Sequence, residues 1–130
     1  MKGKNLKIWL FIAGLNGALA VLAGAFGAHA IASRLDALHA STFTTAAHYH
    51  LVHAVAMAVA ALAARGPAKP RAEAAALLFL IGIVLFCGSL YLLAITALPA
   101  FGYATPFGGL AFIAAWLLLG LAAFKLKETE

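Results

Sequence analysis

All five histidines of this 130-residue chain, His29, His39, His48, His50 and His53, fall between positions 29 and 53. Three of them share the hexapeptide HYHLVH (48–53). Imidazole is the side chain best suited to ligate metals and move protons near neutral pH. On a helix His50 and His53 share a face, Tyr49 and His53 share a neighbouring one, and His48 points roughly opposite to His50. A zinc site wants three or four converging His, Cys or carboxylate ligands. His29, His50 and His53 could supply three, with Asp36 the only acid on the same side. A bis-histidine haem needs histidines on facing helices, and none occurs after position 53. A proton-coupled exporter commonly uses a buried carboxylate, yet Asp36, Glu73, Glu128 and Glu130 all lie outside the apolar runs. No nucleophile–base–acid set stands out, and Ser89 beside the lone Cys87 reads as a polar packing element. No catalytic, cofactor-binding or metal-binding residue is assigned, and the residues to follow are the polar cluster His29, Tyr49, His53, Ser89 and Tyr91.

The elements that must position these side chains are set by composition. The chain is 65% hydrophobic and 10% charged, with a mean hydropathy of +1.03. A soluble domain of this size could not hide that much apolar surface, so lipid is the solvent for most of it. At roughly 20 apolar residues per crossing, four spans nearly exhaust the chain. They are expected at about 8–28, 44–64, 74–97 and 106–124, as one all-α transmembrane domain over 1–130. RGPAKPRAE (65–73) breaks the second from the third, and Thr105 and Pro106 open the fourth as N-cap and first helical residue.

The net charge of +5 is spread over the ends of apolar runs, so it reads as a topology signal and not as a nucleic-acid surface. Lys2, Lys4, Lys7, Arg65, Lys69, Arg71, Lys125 and Lys127 fall on one side and Arg34 alone on the other. The positive-inside rule then places both termini in the cytoplasm, with Trp9 and Tyr103 as interfacial anchors. The sequence GAFGAHA (24–30) ends like a leader-peptidase site. Its apolar stretch exceeds the roughly 7–15 residues of a leader core, so it is expected to remain as span one.

Small residues define the expected packing surface. Ala13, Gly17, Ala20, Gly24 and Ala28 form one stripe on span one, and Gly108 and Gly109 do the same on span four, allowing close backbone approach where lipid removes the usual hydrophobic drive. Asn16, an amide in mid-span, is expected to hydrogen-bond a neighbouring helix. Ser33 followed by Asp36 resembles a capping box for a short amphipathic segment at the outer face, with Leu35, Leu38 and Phe43 on one side. That segment either bends near Ser41–Thr45 into span two or forms one long helix with it.

Four phrases occur together in order: GAFGAHA (24–30), YHLVHAV (49–55), FCGSLYLLAI (86–95) and TPFGGLAFIAAW (105–116). The chain resembles the YgdD-like family of small four-span membrane proteins, related to eukaryotic transmembrane protein 256. The resemblance falls on Gly24, Phe26, Gly27, His29, Tyr49, His53, Gly88, Ser89, Tyr91, Pro106, Gly108, Gly109 and Trp116. It implies a four-helix architecture in a bacterial inner membrane and no particular activity, substrate or cofactor. The chain departs from the pattern at Cys87, at His48 where a basic residue is frequent, and at Thr44 where an acid is common. His39, His48 and His50 lie outside the matched pattern, which leaves His29 and His53 as the pair to follow.

The expected function is therefore a non-catalytic structural, lipid-associated or envelope component of the membrane. The alternative is a small-solute or ion transporter or channel with a His/Tyr pocket on the outer side, and a membrane metalloprotein comes third. Beyond the lipid bilayer, a homo-oligomer or a membrane-protein partner is open, and nucleic acid is not expected.

Overall fold

A computed structural model of the chain describes residues 4–128, so Lys2 and Glu130 lie outside the described residues. Among the described residues every regular element is helical. Helix α1 spans Lys4–Phe26 and continues through a π-helical turn, Gly27–Ile31. Helix α2 runs from Ala37 to Ala63. Helix α3, Lys69–Gly82, passes through a second π-helical stretch, Ile83–Gly88, into α4, Ser89–Thr96. Helix α5 covers Thr105–Ala123. Four continuous helical runs, Asn5–Ile31, Ala37–Ala63, Gly66–Thr96 and Pro99–Ala123, are long and apolar enough to cross a membrane.

Of the two arrangements open for the connection after span one, the structure has the long helix, beginning at Ala37. Asp36, not Ser33, caps α2: its carboxylate accepts the His39 backbone N–H at 2.9 Å. That bond, together with the weaker pull of the one to the His39 ring, holds the Asp36 carboxyl below its ordinary pKa. Ser33 instead donates to the Ala30 carbonyl. With no Gly or Pro between Gly27 and Gly66 to interrupt it, the helix runs unbroken for 27 residues. The expected amphipathic segment is simply the first turns of α2. Its apolar residues are split: Phe43 on α2 and Leu35 just before the helix pack with Ile31 and Ala94, while Leu38 is exposed.

Helix α2 is the hub. It packs against α1 on one side and against α3 and α4 on the other, while α5 lies mainly along α3 and the second π-turn. Alanine makes these contacts close. Ala56, Ala60, Ala75, Ala76 and Ala115 surround the fully buried Met57, Phe79 and Cys87. Alanine lets backbones approach without glycine's penalty in a helix, worth about 0.8–1.0 kcal/mol per residue.

The glycines divide by need. On α1, Ala13 and Ala20 of the expected stripe are buried, but Gly24 and Ala28 are exposed. A Cβ on Gly17 or Gly24 would meet nothing within 4 Å. The buried line instead runs through Ala13, Asn16, Ala20, Gly27 and Ile31, because Asn16 sets which side of α1 faces the bundle. Gly27 lies under the Phe43 ring and Gly82 under the Phe112 ring. Gly108 is the tightest position, since a Cβ there would fall 2.3 Å from the backbone nitrogen of Phe86 in the π-turn. At Gly109 the nearest atom would be 3.9 Å away.

These contacts separate two adjacent glycines. Gly108→Ala forces the α5 crossing apart and is expected to destabilise the bundle by about 1–3 kcal/mol. Gly109→Ala, with room for its methyl group, is expected to leave stability unchanged or raise it by up to about 1 kcal/mol. Reversible unfolding in mixed detergent micelles measures both.

Candidate functional site

Among the described residues the buried polar side chains are Asn16, His50, His53 and Ser89. They sit on α1, α2 and α4, and α2 carries both histidines three residues apart and so on one broad inner face. Each ring is held by two partners.

His50 bridges three elements. Its Nε2 lies 3.0 Å from Asn16 Oδ1 on α1, and its Nδ1 lies 3.1 Å from the Tyr91 hydroxyl on α4. Asn16 spends its amide N–H on the Ile12 carbonyl at 2.9 Å, which leaves Oδ1 as the acceptor. His50 must therefore donate through Nε2 and accept through Nδ1. The bonds form one directed chain: Tyr91 O–H to His50, His50 N–H to Asn16, Asn16 N–H to a backbone carbonyl.

His53 has the opposite arrangement. Trp116 on α5 can only donate, and its Nε1–H points at His53 Nε2 at 3.2 Å. The proton of the neutral ring then sits on Nδ1, which donates to the Tyr49 carbonyl at 2.7 Å. The ring is stacked on Phe112, with centroids 3.6 Å apart and planes 11° from parallel. The Tyr49 ring stacks near His53 as well and tilts onto Phe86 at 4.7 Å.

A third link closes the bundle. Ser89 donates to the Phe86 carbonyl at 2.9 Å, so its oxygen accepts from the Thr105 hydroxyl at 2.6 Å. Thr105, expected as an N-cap, thus ties the start of α5 to α4 instead. Side-chain hydrogen bonds now join α1 to α2, α2 to α4, α4 to α5 and α5 back to α2.

The five residues expected to form one cluster are distributed over this arrangement. Tyr49 and His53 come together, Tyr91 belongs to the His50 chain and Ser89 to the Thr105 link. His29 is exposed in the first π-turn and, among the described residues, makes no side-chain hydrogen bond. It does not join His53. His50, which lies outside the family pattern, is the residue that connects most. Its signal in the sequence is its place on the His53 face, together with a mid-span amide on span one that needs a partner. Trp116 closes the phrase TPFGGLAFIAAW, but nothing in the sequence pairs it with His53, and Phe112 carries no comparable signal. Among the described residues no three His, Cys, Asp or Glu side chains gather as a metal would require.

A family described as "Protein of unknown function (DUF423)" matches residues 23–109. The chain belongs to this family. The DUF423 match contains α2, both π-turns and Gly108, while Asn16 and Trp116 fall outside it. Over 121 residues the chain is 37% identical to the UPF0382 membrane protein YwdK of Bacillus subtilis, covering 92% of this chain and 98% of that one. It is 35% identical to a UPF0382 membrane protein of Staphylococcus saprophyticus, over 93% of this chain and the whole of that one. With the UPF0382 inner membrane protein YgdD of Escherichia coli K12 it shares 32% identity over 94% of this chain and 93% of that one. No solved structure matches the chain. With its four apolar helices, this DUF423 member is a multi-pass membrane protein.

The His50 chain makes a quantitative expectation. His50→Ala strands Asn16 Oδ1 and the Tyr91 hydroxyl and should destabilise the bundle by about 1–3 kcal/mol. A double-mutant cycle of His50→Ala with Asn16→Ala should return a coupling of about 0.6 kcal/mol, and at most about 1.7. Trp116→Phe, which removes one donor and keeps most of the ring, should lie in the same range as His50→Ala.

Proposed function

We propose that this protein is a non-catalytic component of the bacterial inner membrane, a compact four-helix unit with a structural, lipid-associated or envelope role. One observation carries the reading. Both nitrogens of each buried histidine are engaged by the protein itself, and among the described residues no buried side-chain nitrogen or oxygen lacks a partner. For either ring to bind a solute or pass a proton to water, one of these bonds would first have to break. Three of the four nitrogens hold helices together, and the fourth, His53 Nδ1, is bonded to the Tyr49 carbonyl within α2.

The proposed orientation has both termini in the cytoplasm. The cations at 7, 65, 69, 71, 125 and 127 gather at one end of the bundle, where Asn5 also bonds Glu73 and Arg71 donates to the Leu121 carbonyl. The other end, with the 32–36 and 97–104 connections, carries Arg34 alone. The histidines then lie in the outer half of the membrane.

Two measurements test this. In vesicles loaded with a pH-sensitive dye, the reconstituted protein should leave proton and small-cation leak at the protein-free level. A pH-driven flux that a folded His53→Gln variant abolishes would establish the transporter reading instead. Reporter fusions at 103 and at the C-terminus should report outside and inside respectively.

A further inference from the structure

An open seam runs along the face of α2 that carries the His53–Trp116 contact, bordered by α5 at Gly109, Phe112, Ile113 and Trp116. We propose that this seam is a binding site for one glycerophospholipid of the outer leaflet. Its headgroup would sit at Ser41, Thr45 and His48, with an acyl chain laid along Val52 and Val55. The proposal goes beyond the structural role of the polar network and can fail while that role stands.

The seam is three hollows in line along α2. The first, about 380 Å³, is lined by Ser41, Thr44, Thr45, His48 and Tyr49. The second, about 520 Å³, continues from His48 and Tyr49 past His53, Phe112 and Trp116. The third, about 390 Å³, begins at Val52 and Trp116 and runs by Val55 to Val59. Each shares two residues with the next, so they form one track. From position 41 to 55 it covers roughly 21 Å at 1.5 Å per residue, and the remainder to Val59 lies past the bilayer midplane. One leaflet with its headgroups is roughly 20–22 Å deep.

The chemistry changes along the track in one direction. At the top, Ser41, Thr45, His48 and the Tyr49 hydroxyl make no side-chain hydrogen bond among the described residues, although each can donate. None of the lining residues is acidic. Such a niche suits an acceptor-rich group, as a phosphodiester with two ester carbonyls is. In the middle the faces of Tyr49, Phe112 and Trp116 are offered while the nitrogens of His53 are already taken. At the bottom only Leu, Val, Ala and Trp116 remain. A water-soluble solute would waste the lower half. A helix from another protein satisfies its own backbone groups and would leave the upper donors without acceptors.

Gly109 supplies an independent observation. It borders the middle hollow, and a side chain there would meet only Phe86 at 3.9 Å. Packing does not require glycine at this position, unlike Gly108 beside it. The missing side chain is what keeps the seam open.

The test is native mass spectrometry of the full-length protein in mild detergent, titrated with dioleoyl phosphatidylethanolamine and dioleoyl phosphatidylglycerol. Wild type should retain one phospholipid per chain. Gly109→Leu, which fills the seam, should weaken retention at least about tenfold, as should the pair Thr45→Val with His48→Ala at its mouth. Gly24→Leu, on the lipid-facing side of α1, should leave it unchanged. Unfolding in detergent checks that the variants keep the parent's stability, and the mouth pair, whose side chains make no hydrogen bond within the bundle, secures the result if Gly109→Leu does not fold. Equal retention by wild type and the mouth pair would overturn the proposal. So would the absence of a discrete adduct, or preferential retention of an isoprenoid quinone added in competition.

Discussion

A polar group buried in a bilayer has no water to return to when its partner is lost. Everything in this bundle is arranged around that constraint at two positions, His50 and His53 of α2. One ring faces α1 and α4, the other faces α5, and neither has a nitrogen left over. Because each imidazole must donate at one nitrogen and accept at the other, its partners must present the matching group at a fixed angle. That requirement selects the rotation of each neighbouring helix about its own axis, which apolar side chains against lipid do not. The alanine contacts bring the backbones close; the hydrogen bonds decide which faces meet.

The two π-turns belong to the same arrangement. Each admits an extra residue into a helical turn and so shifts the phase of the residues C-terminal to it. The stretch Ile83–Gly88 brings the Phe86 backbone against Gly108 and delivers Ser89 to Thr105 and Tyr91 to His50. The turn Gly27–Ile31 seats Gly27 under Phe43 and leaves His29 on the outside. In the first turn Gly27, and across from the second Gly108, sits where the widened helix meets a neighbour.

The four spans are legible in the length of the apolar runs and the Gly/Pro breaks between them, since membrane thickness leaves little freedom there. Asn16 is legible as a residue in need of a partner. The identity of that partner is not. It depends on the relative rotation of three helices, and a change of one residue turns a side chain by about 100°. Residue size alone places the α1 contact on Ala13, Gly17, Ala20, Gly24 and Ala28; Ala13 and Ala20 are buried, but Gly24 and Ala28 are exposed, and the buried line passes through Asn16 and Gly27. Likewise His29 and His53 share a family pattern without touching, because a pattern records which residues recur and not which way a π-turn points them. The seam beside Gly109 is hidden for a further reason: in a sequence, a glycine that permits contact and a glycine that leaves space look alike.

The most direct measurement is the ¹⁵N spectrum of the histidine ring nitrogens in protein reconstituted in lipid bilayers near pH 7. Two buried rings in opposite neutral tautomers are expected, His50 protonated at Nε2 and His53 at Nδ1, each removed from the spectrum by its own substitution. A shared tautomer, or an imidazolium exchanging with water at either position, would contradict the assignment of these histidines to structure.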